Sequence, residues 1–201
     1  MLMGDSVSSV EKQGHEFIVR TKRGQVVNTE QVIAGIGIEP NVELAANAGL
    51  RVENGIVVDE FLRTSRPEVY AAGDVASFQS PALQARVRVE HEDNANTMGR
   101  LAGQNMAGIP EAYVHLPFFY SDLFDLGYEA VGELDSRLDV MADWKEPFRE
   151  GVVYYLRDDV IRGVLLINEP ERIDWARTLI REAHPTTSAE RAAMVEAKAG
   201  T

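Results

Sequence analysis

Tyr70-Ala71-Ala72-Gly73-Asp74 closes a strand-like apolar run on a glycine and a carboxylate, and Val89-Glu90-His91 follows at the start of a helical pattern. A carboxylate at the carboxyl end of a buried strand lies where open α/β sheets place ligand contacts. A helix start offers free backbone N–H groups and the positive end of a dipole to an electron-rich ligand. The two segments are therefore expected to converge on one electron-rich ligand.

Other candidate chemistry is weaker. Gly35-Ile36-Gly37 begins like a dinucleotide fingerprint, but Pro40 stands where the third glycine belongs, and the chain contains no G-x-G-x-x-G or P-loop. Gly4-Asp5-Ser6-Val7 is similar to the nucleophile block of a family of serine esterases. Those enzymes carry Asp-x-x-His near the C-terminus, whereas Arg181 holds that place before His184. Histidines at 15, 91, 115 and 184 show no paired ligand spacing, so no metal site is expected. Read alone, Glu90-His91-Glu92-Asp93 also fits a solvated acidic first turn.

Composition narrows the classes. The 201 residues contain no cysteine, which excludes disulfides, thiolate metal ligands and dithiol chemistry within them. Any redox role needs a bound cofactor. A net charge of −12 argues against nucleic acid as a partner. No run nears the roughly 20 apolar residues of a membrane span, and no signal segment is legible. A cytoplasmic protein is the expectation.

The elements that must position these residues can be sketched. Short β runs at 5–10, 16–20 and 25–28, punctuated by Gln13-Gly14 and Lys22-Arg23-Gly24, predict an antiparallel meander. It is expected to lead into a doubly buried strand at 31–36. A short helix at 42–48 closed by Gly49, a turn at Asn54-Gly55 and a strand at 56–59 follow. A strand ending at Asp74 precedes a helix over 89–106, with Ala95, Met98, Ala102 and Met106 on its apolar face and a break at Gly108-Ile109-Pro110. Beyond it, runs at 118–120, 128–133, 138–142, 151–156 and 160–168 predict antiparallel strands, with Arg157-Asp158-Asp159 as a hairpin turn. Pro170 introduces a helix with Ile173, Ala176, Leu179 and Ile180 inward, and 188–198 reads as a terminal helix.

Several motifs fall together in order: Gly37-Ile38-Glu39-Pro40-Asn41, Tyr70 to Asp74, Val89-Glu90-His91, Gly99-Arg100-Leu101-Ala102-Gly103 with Asn105-Met106, Tyr120-Ser121-Asp122-Leu123, and Gly127-Tyr128-Glu129-Ala130. Tyr154-Tyr155-Leu156-Arg157-Asp158 continues the series. In these the chain resembles the C-terminal half of the FAD-dependent pyridine nucleotide oxidoreductases, in the ferredoxin reductase and apoptosis-inducing-factor branch.

The resemblance implies an α/β plus α+β fold. Residues 1–35 would close the NAD(P)-binding domain as a β-meander, 36–112 would be the second segment of a Rossmann-like FAD domain, and 113–201 a β-rich reductase C-terminal domain. It implies FAD and NAD(P)H as cofactors, electron transfer to an acceptor such as a ferredoxin, and either a homodimer or a missing N-terminal half carrying both glycine loops. A catalytically silent interaction or dimerisation module is the alternative.

By the same resemblance Gly73 is among the cofactor-binding residues, Asp74 meets the flavin's ribityl chain, and Glu90 and His91 face its ring from the helix start. Gly37, Glu90 and Glu129 approach the nicotinamide. Tyr120 departs from the tryptophan usual beside the flavin, leaving less stacking area. No acid–base residue is singled out, because hydride transfer needs positioning more than proton transfer.

Overall fold

The computed structural model describes residues 2–187, which divide into two compact units at Glu39/Pro40. The first is the meander β1 (Val7–Gln13), β2 (Glu16–Thr21) and β3 (Val26–Thr29), in that spatial order and antiparallel throughout. Gly14 and Gly24, both at positive φ, turn the chain between strands.

The expected strand at 31–36 is not formed. An unalternating apolar run becomes a strand only between two others, with cover on both faces. Among the described residues nothing pairs with it, and Ile33 and Ile36 are 94% and 93% exposed.

In the second unit, α1 (Glu43–Asn47) ends at Gly49 with φ +71°. A mixed sheet follows, in the order β4 (Val52–Glu53), β5 (Gly55–Val57), β6 (Ala76–Ser80), β7 (Ala85–Val87), with β5 and β6 parallel. The strand expected to end at Asp74 is displaced. Ala71 N–H donates to the Leu62 carbonyl and Thr64 N–H to that of Val69, so this run closes a local loop instead of joining the sheet. Gly73–Val75 is a 3-10 turn, and β6 begins only after it.

Helix α2 (Glu92–Met106) starts three residues later than expected because the chain runs irregularly from Arg88 to Glu90 and the extended His91 serves as the cap. Its inward face is Asn94, Met98, Leu101, Ala102 and Asn105, while Met106 is exposed. Met98 and Leu101 pack with Val58, Leu62, Ala76, Phe78 and Tyr113, each large apolar side chain contributing about 1.5–3 kcal/mol of transfer free energy. Asn105 fastens the helix end by donating to the Phe61 and Glu111 carbonyls and accepting from Glu111 N–H.

The remaining strands form an antiparallel sheet: β8 (Phe118–Leu123), β9 (Leu126–Gly132), β10 (Asp139–Glu146), β11 (Glu150–Arg157) and β12 (Val160–Ile167). Their spatial order is β10-β11-β12-β9-β8, and Asp158 and Asp159, both at positive φ, make the β11–β12 turn. Helix α3 (Ile173–Glu182) lays Ala176 and Ile180 on this sheet against Val131, Val152, Val164 and Leu166. The α/β segment followed by a β-rich, α+β segment is therefore the architecture found. The expected helix at 188–198 lies outside the described residues.

Candidate functional site

Gly73 opens the 3-10 turn at φ +76° and rests on α2, where a Cβ would meet that of Ala95 at 3.5 Å. The turn leaves the Asp74 side chain exposed, and nothing among the described residues bonds to its carboxylate. Arg88 holds the turn in place. It donates to the Asp74 carbonyl at 3.0 Å and to Asn54 Oδ1 at 3.0 Å, and it pairs with Glu90 at 2.7 Å. Arg88 thus joins Asp74 and Glu90, two residues the sequence marked separately. Its own role was not legible, since an arginine two residues before a helix motif gives no signal of where it reaches.

His91 is the N-cap of α2, with extended backbone at φ −157°. Its Nδ1 lies 3.4 Å from Asp93 N–H and its Nε2 lies 3.4 Å from Tyr120 N–H. A neutral imidazole accepts at one nitrogen only, so one of these contacts is a hydrogen bond at a time. The ring stands nearly perpendicular to Tyr120, with centroids 5.2 Å apart, and is flanked by Phe118 at 6.0 Å.

Tyr120 pairs directly with Glu129 across the β8–β9 ladder, which puts both side chains on one face. That face lines a cleft of about 480 Å³ with Tyr128, Asn168 and Glu169. Glu129 Oε2 is buried with no hydrogen-bond partner, and burial pushes its carboxyl above the ordinary range. Glu169 is the opposite case. Burial pushes it up too, but Lys145 and Arg172, at 2.5 and 3.1 Å, outweigh that and hold it below the usual range.

Beneath the helix start, Asp93 Oδ2 lies 2.7 Å from His115 Nε2 and accepts from Phe118 N–H at 3.2 Å and from Arg177 at 3.4 Å. Arg177 also donates to the Leu116 carbonyl. Next to it, Tyr113 OH donates to Asn94 Oδ1 at 2.9 Å, and burial pushes the phenol well above its ordinary pKa. One carboxylate therefore fixes α2, β8 and α3 together. In the sequence Asp93 reads as one acid of a solvated first turn, because its partners lie 22 to 84 positions away.

Glu90, His91, Tyr120 and Glu129 are linked through contacts of β7–α2 with β8–β9, and Gly73 and Asp74 are joined to them through α2 and Arg88. Gly37 lies in the first unit in an irregular exposed segment, at φ +86° with nothing within 4 Å of a would-be Cβ. Asp5 Oδ1 accepts from the backbone N–H groups of Ser6 and Arg23 and makes no bond to the Ser6 hydroxyl.

An open carboxylate for hydroxyl donors, an aromatic wall and an orphaned carboxylate oxygen suit a flavin with a nicotinamide beside it. Residues 1–99 match the family of pyridine nucleotide-disulphide oxidoreductases, and residues 102–147 and 141–182 match the mitochondrion-associated C-terminal domain of apoptosis-inducing factor. The chain belongs to this FAD-dependent family, in the branch of ferredoxin reductases and apoptosis-inducing factors.

Among individual proteins it is 36% identical over 177 residues to mitochondrial apoptosis-inducing factor 1 of Dictyostelium discoideum, covering 81% of this chain and 33% of that protein. It is 35% identical over 164 residues to putidaredoxin reductase of Pseudomonas putida, covering 81% of this chain and 38% of the relative. A ferredoxin reductase from Rhodopseudomonas palustris superposes with a TM-score of 0.82 at 27% identity, over 96% of this chain and 47% of that one. The covalent putidaredoxin reductase–putidaredoxin complex gives 0.77 at 29% identity, over 98% and 50%. The chain thus spans about a third to a half of the length of these relatives.

Proposed function

We propose that this chain supplies the flavin- and nicotinamide-facing half-site of an NAD(P)H-dependent FAD oxidoreductase that passes electrons to a ferredoxin-type acceptor. The observation that carries this reading is the buried, unpartnered Glu129 oxygen opposite Tyr120, beside the His91 cap of α2. FAD, when bound, supplies the step from two-electron hydride uptake to one-electron release. The chain's own residues bind and orient.

In this reading Asp74 accepts hydrogen bonds from the ribityl hydroxyls, and Arg88 keeps it at the right height against Glu90. The α2 N-terminus favours negative charge developing on the ring. Tyr120 and His91 give aromatic walls, and Glu129 accepts from the nicotinamide's carboxamide N–H. The boundaries near 35 and 112 are part of the same proposal, as are the acceptor and the NAD(P)H donor.

Absorbance titration of the purified chain with FAD tests this. Saturable binding with a shifted flavin band is expected, and Asp74→Asn should weaken it about tenfold by replacing a charged acceptor with a neutral one. A wild-type chain that leaves the FAD spectrum unchanged at high concentration would falsify the reading. A second reading, an association module without turnover, is favoured by the exposure of Ile33 and Ile36, an apolar segment left without a partner among the described residues. Sedimentation that shows stable self-association without flavin binding would select it.

A further inference from the structure

Asn54-Gly55 is the one Asn-Gly pair in the chain. Asn54 is exposed at the bend between β4 and β5, whereas Gly55 is buried. In such a pair the glycine nitrogen can attack the asparagine Cγ, because the following residue has no Cβ to crowd the five-membered ring that forms. A tight hairpin resists this reaction, since the backbone there bends little towards the side chain. Asn54 differs from an ordinary hairpin asparagine in what holds its side chain.

Arg88 touches both reacting residues. Its Nε donates to Asn54 Oδ1 at 3.0 Å, while its other nitrogens serve Glu90 and the Asp74 carbonyl. An arginine has no acceptor, so the atom facing it is the amide's carbonyl oxygen and not its nitrogen. Its Cδ, bonded to that Nε, lies 2.8 Å from where a Cβ on Gly55 would stand. The stem of Arg88 therefore lies on Gly55 while its head holds the Asn54 carbonyl, which keeps Cγ beside the glycine. The Arg88 side chain is only 9% exposed, so its charge acts with little screening by water. A fixed cation at a carbonyl oxygen stabilises the negative charge which that oxygen gains when a nucleophile adds.

We propose that Asn54 is a self-modifying site, activated by Arg88, whose conversion alters the flavin-facing turn. The Gly55 nitrogen gives its proton to water and bonds to Asn54 Cγ, with Arg88 holding the oxyanion. Collapse breaks the Cγ–Nδ2 bond and releases ammonia, leaving a succinimide. Water then opens the ring. Attack at Cγ yields an aspartyl residue, and attack at the backbone carbonyl yields an isoaspartyl one, so water is the sole co-reactant. The aspartyl product keeps the backbone length and offers Arg88 a carboxylate. The isoaspartyl product adds a methylene to the backbone before Gly55, where a Cβ would already lie 2.5 Å from the Val75 carbonyl oxygen. β5 pairs in parallel with β6 through Ile56 and Ala76, directly after the Asp74 turn, so the shift reaches Arg88 and Asp74. The effect on flavin rests on the reading of the chain as a flavin half-site, and the conversion itself does not.

Peptide mapping by mass spectrometry of the whole chain, incubated in mildly alkaline buffer with and without urea, tests the proposal. The urea-unfolded chain gives the rate of the Asn-Gly pair without Arg88 beside it. The folded chain is expected to convert Asn54 about tenfold faster than that reference. Arg88→Met keeps a stem over Gly55 and removes the donor. It should convert no faster without urea than with it, and its rate in urea should match wild type. Asn54→Gln should convert under neither condition, because its ring would need six members. The wild-type comparison needs no variant, so it decides the matter whether or not Arg88→Met folds.

A folded wild type that keeps Asn54 intact while the unfolded chain converts would overturn the proposal, as would a folded Arg88→Met chain that converts as fast as wild type. FAD titration separates the two levels. Wild type incubated until it is rich in isoaspartate should bind FAD about tenfold more weakly than fresh chain, and Asn54→Asp should stay within about twofold of fresh chain. Conversion with unchanged FAD affinity would overturn the link to the turn. A fresh chain that converts Asn54 but binds no FAD sinks the flavin reading and keeps the modification site, and a chain that binds FAD with an inert Asn54 does the reverse.

Discussion

Asp93 and Arg177 are 84 residues apart in the chain, yet the Arg177 guanidinium reaches the Asp93 carboxylate at 3.4 Å, with His115 Nε2 at 2.7 Å from the same oxygen. The start of α2, which carries Glu90 and His91 towards the candidate site, is therefore held by the last described helix. Replacing Asp93 by alanine removes the acceptor of Phe118 N–H and leaves the largely buried Arg177 with only the exposed carboxylate of Asp174 as an ion-pair partner. The loss should be about 2 kcal/mol, read as a shift in the urea midpoint without a change in slope. A midpoint within experimental error of wild type would mean that α2 and α3 are held by their apolar contacts alone.

Gly55 shows how little room the Asp74 turn has. Its φ is +95°, and a Cβ there would lie 2.5 Å from the Val75 carbonyl oxygen and 2.8 Å from Arg88 Cδ. Gly55→Ala combines a strained backbone with a collision against main chain, and should cost about 3 kcal/mol. Thermal melting checks this. FAD affinity measured below the melting transition should fall as well, because Arg88 is displaced from Asp74.

Glu129 gives a pH dependence of definite sign. Burial raises its carboxyl pKa in the fold, so the folded chain holds this proton more tightly than the unfolded chain does. The resulting stability is present below the ordinary carboxylate range and is lost as pH rises through the raised value. Glu129→Gln abolishes that loss. The variant's advantage in melting temperature should therefore grow from about pH 4 to pH 7. A difference independent of pH would mean that Glu129 finds a partner in solution.

Glu169 titrates in the opposite sense. Its carboxyl is held low because Lys145 and Arg172 outweigh its burial, so its contribution is present above the ordinary carboxylate range and fades as pH falls through the lowered value. In Lys145→Met that acid-labile component should shrink, which melts between about pH 3 and pH 6 would register.

Tyr120 is half exposed on β8, with the His91 ring beside it and Glu129 opposite. Tyr120→Trp enlarges the aromatic face presented to a flavin and should tighten FAD binding about threefold or more. Unchanged or weaker binding would place the isoalloxazine away from this wall.

Much of the local structure was legible because local chemistry decides it. The meander turns follow from Gly14 and Gly24, the end of α1 from Gly49, and the β11–β12 hairpin from Asp158-Asp159. The five C-terminal strands follow from their apolar runs. The candidate residues Asp74, Glu90, His91, Tyr120 and Glu129 were readable as ordered motifs. What failed did so where tertiary partners decide. The run at 31–36 has strand composition but no neighbouring strand among the described residues. Val69–Ala72 spends its hydrogen bonds on Leu62 and Thr64 instead of on a sheet.

The sequence by itself determined most of the element types, the absence of any thiol chemistry in these residues, and which side chains carry the motifs. Only the tertiary structure decided that Arg88 joins Asp74 to Glu90, that Tyr120 faces Glu129, and that Asp93 holds two helices and a strand. The physical reason is one of range. Turn and helix preferences act over a few residues, whereas most of these contacts join separate elements, and partners up to 84 positions apart leave no periodic trace in the chain.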